Sequence, residues 1–300
     1  MSAVLDRQTV AVRPSGAALG ADMEGVDLSA KLSADTVDAI KQAWGDHLVL
    51  RFRGQRLDDD ELMRFSAHFG ELDLAPVIAA ARVKTADGTE VEAVEEGPRY
   101  VSVISNIIEN GKALGALGAY ESIWHTDMSY NPEPPCASAL YAIEVPPSGG
   151  DTGFANMYLA YERLPETLRR QVEGRLCRHD SSRNSAGELR RGMTEVSDPR
   201  EAPGASHPIV RTHPVTGRKA LFLGRRRNAY VEGMTLEDSE RLLDELWQHA
   251  TRPELAWYQQ WRVGDLVMWD NRCALHRRDE FDPQSRRLMH RTQIKGDRPF

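Results

Sequence analysis

Cysteine is scarce in this chain of 300 residues, and the three present, Cys136, Cys177 and Cys273, lie far apart. Such spacing excludes a disulfide framework and a Cys-x-x-Cys metal site, and it suits a reducing compartment. The N-terminal residues MSAVLDRQTVAVRPSG lack the apolar core of a signal peptide, and no run of 18 apolar residues could span a membrane. These absences predict a cytoplasmic protein without a membrane anchor.

The chain lacks an excess of positive charge, since 38 Lys and Arg stand against 45 Asp and Glu and the formal net charge is -7. Proteins that bind nucleic acid or membrane surfaces in general need clustered positive charge, so this balance argues against both partners. The one basic block, residues 225–227, is better explained as a solvated loop than as an anion site. A hydrophobic content of 41% and a charged content of 28% are typical of a globular protein.

Short helices and strands are predicted along the chain, without internal repeats or low-complexity tracts. Apolar residues at helical spacing predict helices over residues 33–47, 57–72 as far as Gly70, 157–174 and 235–251. Ser33 is the candidate N-cap of the first helix and Thr235 that of the last. Strand patterns cover 48–54 (half-buried by its alternation), 100–107, 137–145, a hairpin at 207–224, and two strands in 257–271 with a turn at Gly264. This content predicts a mainly β fold, a barrel or sandwich with peripheral α-helices.

Residues 76–120 differ from their surroundings, because they begin with a polar, acidic stretch and end in the Gly-rich segment ENGKALGALGAY. Long loops without their own secondary structure are uncommon unless they are functional. An active-site loop or lid within 76–120 is one interpretation, and a plain surface loop is the other.

The sequence WHTDMSY, residues 124–130, places His125 two residues before Asp127. If both are ligands, they should lie on one strand or at its edge, where residues i and i+2 share a face and both side chains could reach one metal ion. A short motif of this kind also arises by chance. It becomes informative only if a third ligand exists elsewhere in the chain.

His276 is the best candidate for that ligand, because the apolar strand in GDLVMWDNRCALHRR would deliver it at the strand's end. The alternative is a histidine satisfied by a hydrogen bond in the core. Seven other histidines lie in helices, beside prolines or in polar stretches and are set aside: His47, His68, His179, His207, His213, His249 and His290. The set His125, Asp127 and His276 has the composition of the 2-His-1-carboxylate triad of non-haem Fe(II) oxygenases.

Arg287 and Arg291 follow His276 and share one face whether their segment is helical or extended. The planar guanidinium group binds carboxylates through paired hydrogen bonds, so either arginine could hold a dicarboxylate such as 2-oxoglutarate. An exposed basic strip paired with Asp279, Glu280 and Asp282 explains the same residues equally well.

Beyond these residues, the chain resembles the Fe(II)/2-oxoglutarate dioxygenases of the taurine and 2,4-dichlorophenoxyacetate dioxygenase family over about residues 12 to 298. The similarity is carried by motifs in matching order: LVLRFRGQRL, WHTDMSY, VPPSGGDTGFANMYLAYERLP, HPIVRTHPVTGRKALF and GDLVMWDNRCALHRR with RRLMHRTQIKGDRP. The resemblance implies a single catalytic domain, residues 1–300, with the double-stranded β-helix of a cupin-like jelly roll.

The resemblance also implies roles for individual residues. His125, Asp127 and His276 would bind Fe(II), while Thr152 and Arg287 would bind the far carboxylate of 2-oxoglutarate. Arg291 would hold the acidic group of the substrate or the near end of the cosubstrate. Related halogenases carry a small residue in place of the carboxylate, so Asp127 favours hydroxylation.

The implied reaction uses O2 to hydroxylate a C–H bond of a small anionic substrate and releases succinate and CO2. An aryloxyalkanoate or an N-substituted amino acid is the expected substrate, and a sulfonate or sulfate ester is the alternative. A cupin-like module that holds metal without turnover, or a zinc hydrolase, would use the same triad without a cosubstrate. A homo-oligomer is expected, because family members commonly form dimers or tetramers.

Overall fold

The computed structural model describes residues 10–75, 82–84, 90–92, 99–117, 122–185, 187–190 and 192–300. Within these ranges five α-helices are present, with short 3-10 turns at Ala67–Phe69, Pro199–Glu201 and Pro253–Leu255: Ala34–His47 (α1), Asp59–Ser66 (α2), Met157–Glu162 (α3), Glu166–Val172 (α4) and Leu236–Ala250 (α5). The strands of the same ranges are Ala11–Pro14 (β1), Ala21–Glu24 (β2), Val49–Phe52 (β3), Arg82–Lys84 (β4), Glu90–Glu92 (β5), Ser102–Ser105 (β6), Ile108–Glu109 (β7), Lys112–Ala113 (β8), Ala116–Leu117 (β9), Ser122–His125 (β10), Ala137–Glu144 (β11), Thr152–Asn156 (β12), Leu176–Arg178 (β13), Ser206–Pro208 (β14), Val210–Thr212 (β15), Lys219–Leu221 (β16), Tyr230–Val231 (β17), Ala256–Gln259 (β18), Leu266–Asp270 (β19), Ala274–Arg278 (β20) and Leu288–Ile294 (β21). The fold is mainly β with few helices, as predicted.

Two sheets form the centre of the fold. In the described residues the larger sheet has the strand order β1, β2, β3, β19, β11, β21, β6, β9, and the smaller has the order β10, β20, β12, β18. Neighbouring strands are antiparallel except for the β2/β3 and β6/β9 pairs. The inner faces of the two sheets meet in one core, where the ring of Phe154 in β12 lies 5.5 Å from that of Trp269 in β19.

Strand β19, in the middle of the larger sheet, is apolar on both faces because α1 and α2 cover the face that turns away from the smaller sheet. In β19, Val267 and Trp269 join the inter-sheet core, whereas Leu266 and Met268 join a second core with α1 and α2. Successive side chains of a strand point to opposite faces, so a strand buried on both sides has a continuous apolar sequence. The predicted alternation of 48–54 holds where Leu50 and Phe52 are buried and Arg51 and Arg53 are partly exposed, but Val49 on the second face joins the inter-sheet core.

The helix caps explain where the predicted helices begin. Ser33 and Thr235 accept backbone N–H bonds from the first turns of α1 and α5, as predicted. Asp58 and Glu61 form a reciprocal capping box at the start of α2. The single helix predicted over 157–174 is wrong, because the chain divides into α3 and α4 around Pro165. Proline lacks the N–H that a helix interior needs and disfavours helical backbone in the residue before it.

The predicted hairpin at 207–224 is confirmed as β15 and β16. The two strands predicted around Gly264 are also confirmed as β18 and β19, but they enter different sheets. Much of the predicted loop or lid at 76–120 falls on 76–81, 85–89, 93–98 and 118–121, which lie outside the described residues, so the lid stays a prediction. None of the helices in the described ranges combines the length and apolarity needed to cross a bilayer.

His179 in the loop after β13 gives the fold a predictable response to acid. It is fully buried, and its ring packs 5.5 Å from Phe222 and 5.3 Å from His207. Burial lowers the pKa of His179 to about 3, whereas the unfolded chain would bind a proton near pH 6.5. Acid therefore favours the unfolded state between these two values.

We expect the free energy of unfolding to fall as the pH drops below about 6.5, with His179 contributing a slope of up to about 1 kcal/mol per pH unit. Urea titrations of metal-free protein between pH 4 and 7 would measure it. His179→Gln should flatten the pH dependence. Parallel curves for the wild type and the variant would contradict this account.

Candidate metal and anion site

The three predicted metal ligands come together beside strands β10 and β20 of the smaller central sheet. His125 and His276 are direct partners in the antiparallel register, and their ring centroids lie 4.1 Å apart. Asp127 Oδ1 lies 3.8 Å from Nε2 of each histidine. All three side chains are buried, and one ligand atom from each lies within 4.8 Å of the others. This spacing allows all three to bind one ion.

Asp127 lies at the edge of the strand that carries His125, as predicted, because β10 ends at His125 and Asp127 belongs to the following turn. The predicted placement of His276 is wrong. His276 is not at the end of the apolar strand β19 but in the middle of β20, after a turn at residues 271–273. The chain changes sheets at that turn, where the side chains of Arg272 and His213 bind the carboxylate of Asp270.

Hydrogen bonds hold the turn that carries Asp127. Ser138 Oγ donates to Asp127 Oδ2 at 2.8 Å, and the backbone N–H of Thr126 donates to the carbonyl of Gly224 at 2.9 Å. His125 Nδ1 lies 2.7 Å from the carbonyl of Ile123, which fits a proton on Nδ1 and a lone pair on Nε2. Such outer contacts orient metal ligands and set their tautomers.

The protonation states of the triad suit a cation. Burial, with the charges of His276 and Arg225, lowers the pKa of His125 well below its ordinary value. Burial also lowers the pKa of His276 to about 4, against the opposing charge of Asp127. Burial by itself would raise the pKa of Asp127, but the charges of Arg291 and the two histidines outweigh it and hold the pKa below its usual range. Two neutral imidazoles and a carboxylate are therefore present at neutral pH.

A buried pair of arginines, the candidate anion end of the site, lies where β12, β20 and the start of β21 meet. Thr152 pairs with Arg278 across the β12/β20 ladder, and Thr152 Oγ1 accepts a hydrogen bond from Trp261 Nε1 at 2.9 Å. The guanidinium groups of Arg278 and Arg287 lie 5.5 and 5.9 Å from the ring of Phe281. Burial, with the charge of Arg278, lowers the pKa of Arg287 well below its ordinary value. Two buried cations this close favour an anionic ligand between them.

Arg291 belongs to the metal end of the site rather than to this anion end. Its Nη1 donates to Asp127 Oδ1 at 3.1 Å, and its side chain is largely buried. Arg287 is buried too, with 1% of its surface exposed. The exposed basic strip is therefore the wrong explanation of these two residues. Asp279 instead pairs with Arg277.

Several residues of the site were not predicted. Arg278 had a sequence signal, because it stands two residues after His276 and so faces the same side of β20. Ser138 and Trp261 had none, since their contacts join segments distant in sequence. The solvated loop predicted for 225–227 is wrong for Arg225, which is buried beside the triad. Arg226 forms ion pairs with α5, and Arg227 is half-exposed.

A second cluster of potential ligands, His213, Asp270 and Cys273, lies under the turn before β20. Arg272 occupies both oxygens of Asp270, and His213 Nε2 lies 3.0 Å from Oδ2. The carboxylate thus already has a cationic partner, and the cluster fixes the turn that leads to His276. All three cysteines of the chain are buried and free.

Comparisons with known proteins agree on one family. The model of the family "Taurine catabolism dioxygenase TauD, TfdA family" matches residues 11–293. The alpha-ketoglutarate-dependent 2,4-dichlorophenoxyacetate dioxygenase of Cupriavidus pinatubonensis is 35% identical, over 96% of this chain and 99% of that protein. The alpha-ketoglutarate-dependent sulfate ester dioxygenase of Pseudomonas putida is 33% identical, over 96% of this chain and 90% of that protein. The crystal structure of AAD-2 in complex with Mn(II) and N-oxalylglycine has a TM-score of 0.76 at 30% identity, over 97% of this chain and 99% of that one.

Gly224 offers a test of how the turn that carries Asp127 is supported. Its φ is +66°, and a Cβ there would lie 2.1 Å from Nδ1 of buried His179 and 2.7 Å from Ser129 Oγ. An added methyl group must therefore displace either these buried side chains or the backbone of Gly224, whose carbonyl accepts the N–H of Thr126. We expect Gly224→Ala to weaken Mn(II) binding by about tenfold or more, measured by calorimetry.

Gly217 is a matched control, because its φ is +69° and a Cβ there would have no neighbour within 4 Å. Gly217→Ala carries the same backbone strain and should change Mn(II) affinity by less than about threefold. Equal losses of Mn(II) affinity in the two variants would assign the effect to backbone strain and not to the turn that carries Asp127.

Proposed function

The chain belongs to the TauD/TfdA dioxygenase family, and from this membership we propose that it hydroxylates a C–H bond of a small anionic substrate with Fe(II), 2-oxoglutarate and O2, releasing succinate and CO2. Relatives that cover nearly its whole length are alpha-ketoglutarate-dependent dioxygenases, so the chain is a 2-oxoglutarate-dependent dioxygenase. The observation that carries the proposal is a buried 2-His-1-carboxylate cluster in the same site as a buried arginine pair.

Fe(II) is proposed as the metal of His125, Asp127 and His276. Two imidazole nitrogens and one carboxylate suit Fe(II), and a facial set of three ligands leaves coordination positions for other molecules. When bound, the metal and 2-oxoglutarate supply the oxidation by O2. The chain itself orients the ligands through Ser138 and the Thr126–Gly224 contact and keeps the histidines neutral.

The far carboxylate of 2-oxoglutarate is assigned to Arg287 and Thr152. Nε of Arg287 is buried and has no hydrogen-bond partner among the described residues, and a guanidinium in this state is satisfied best by a carboxylate. The bond from Trp261 turns the Thr152 hydroxyl so that its own proton can be donated to that carboxylate.

The acidic group of the primary substrate is assigned to Arg291. This residue lies beside Asp127, so an anion held there would stand next to the metal. A carboxylate of an aryloxyalkanoate or of an N-substituted amino acid fits this position. Sulfonates and sulfate esters carry the same charge and are the alternative, which the Pseudomonas putida relative favours.

The rest of the proposal follows the family. The two facing sheets are compatible with the double-stranded β-helix of a cupin-like jelly roll. A cytoplasmic location and a homo-oligomeric assembly stay predictions. A module that only holds metal would not need Arg287 buried without a partner, so the dioxygenase reaction is preferred over it and over a zinc hydrolase.

Replacing Arg287 tests the cosubstrate assignment. Arg287→Gln removes the charge but keeps a hydrogen-bond donor, and we expect the Kd for 2-oxoglutarate in Mn(II)-loaded protein to rise by about 30-fold or more. The affinity for Mn(II) itself should not change. The neighbouring Arg286 is half-exposed and paired with Glu144 and Glu109, so Arg286→Gln is the control. Equal effects of both variants, or no effect of Arg287→Gln, would remove Arg287 from the cosubstrate site.

Replacing Arg291 tests the substrate assignment. In the Mn(II)·2-oxoglutarate protein, Arg291→Gln should weaken binding of phenoxyacetate by about tenfold or more while binding of neutral phenoxyacetamide changes by less than about threefold. Calorimetry on the two probes gives the ratio directly. A loss that is the same for acid and amide would exclude a direct contact between Arg291 and the acidic group.

A further inference from the structure

Arg225 is a buried cation beside the metal triad that the proposed reaction has not yet used. It follows Gly224, whose carbonyl holds the turn of Asp127, and only 8% of its surface is exposed. Its guanidinium packs on the ring of Tyr130, which belongs to the same turn as Asp127. The guanidinium therefore lies at the wall of the site and not in solvent.

The surroundings of Arg225 leave much of its hydrogen-bonding capacity unused. Nη1 donates to the carbonyl of Arg183 at 2.6 Å, and the guanidinium lies 5.2 Å from the centre of the Tyr130 ring. Nε is buried and has no partner among the described residues. A guanidinium has five N–H donors, and a buried donor without a partner costs free energy.

The nearby carboxylates are already engaged by other groups. Asp127 is bound by Ser138 and Arg291, and Asp180 is bound by Ser182 and Asn228. In the described part of the chain neither forms an ion pair with Arg225.

A second cation makes this wall more positive. Arg190 lies 4.2 Å from the centre of the same Tyr130 ring and donates to its hydroxyl group. Burial, together with the charge of Arg190, lowers the pKa of Arg225 below its ordinary value. Two guanidinium groups on one aromatic ring repel each other, and an anion beside them would relieve that repulsion.

A purely structural role would leave these features unexplained. The contacts with Arg183 and Tyr130 do tie Arg225 to the segment around residues 180–190, but one carbonyl bond and one aromatic ring do not require a cation with Nε turned away from partners. An anionic ligand accounts for the burial, the free donor and the neighbouring cation together.

We propose that Arg225 binds a second anionic group of the substrate, on the wall formed with Tyr130, while Arg291 binds the first. The substrate is then a small dianion, such as an organic acid that carries a further carboxylate or a sulfate-type group. This inference rests on the proposed function. It adds that the second charge distinguishes the substrate of this chain from a simple aryloxyacetate.

Matched probes separate charge from shape. Calorimetry on anaerobic Mn(II)·2-oxoglutarate protein would compare 2-, 3- and 4-carboxyphenoxyacetate with the corresponding carbamoylphenoxyacetates, which have nearly the same shape but one charge less. We expect at least one carboxy isomer to bind about tenfold or more tightly than its carbamoyl partner. Arg225→Gln should reduce that preference to less than about threefold and leave phenoxyacetate binding nearly unchanged.

Two further variants complete the test. Arg227→Gln changes a half-exposed arginine of the same block and should keep the full preference. Arg225→Lys keeps the charge and should keep part of the preference, which protects the test if Arg225→Gln fails to fold.

Three results would overturn the proposal. They are the absence of a preference for every carboxy isomer in the wild type, a preference that survives in Arg225→Gln, and a weaker affinity of Arg225→Gln for 2-oxoglutarate itself. Failure of the wild type to bind 2-oxoglutarate would instead reject the proposed function, so the two failures are distinguishable.

Discussion

The site depends on the antiparallel register of β20 with its two neighbours. This register places His276 opposite His125 on one side and opposite Phe154 on the other. Two residues further along β20, Arg278 stands opposite Thr152. A slip by one residue would turn every side chain of the strand to the other face. One ladder therefore sets both the metal triad and the anion end, and the packing of Phe154 against Trp269 fixes it to the larger sheet.

Charge is the second constraint on the site. The triad contributes one carboxylate and two neutral imidazoles, whereas the surrounding wall contributes several buried guanidinium groups. Arg287 directly precedes β21, and Arg291 lies within it, four residues later. The same strand therefore serves the two ends of the site. A cation bound to the triad and anions bound to the arginines would balance one another, and the buried arginines are costly without them. The proposed dicarboxylate cosubstrate and anionic substrate follow from this balance.

The sequence motifs predicted more of the site than of its support. His125 and Asp127 could be singled out by their short spacing and His276 by the apolar strand that precedes it, because metal ligands need particular side chains. The role of Arg287 came from the family resemblance, since the residues alone fitted an exposed basic strip equally well. Ser138 could not be found, since its bond to Asp127 depends on how distant strands pair. The burial of Arg225 was missed for a similar reason.

Secondary structure followed the same division between local and distant causes. The caps at Ser33 and Thr235 are local and were predicted, whereas the break at Pro165 was local and overlooked. The crossing from β18 to β19 between sheets is decided by tertiary packing, which a local pattern does not encode.

The triad and the buried arginines are proposed to bind Fe(II) and 2-oxoglutarate together. An anaerobic visible spectrum of the purified protein, recorded as Fe(II) and then 2-oxoglutarate are added, tests this claim most directly. We expect a weak charge-transfer band that appears only when both are present, because the keto acid must chelate the metal. A protein that binds Fe(II) but forms no such band on addition of 2-oxoglutarate would contradict the account.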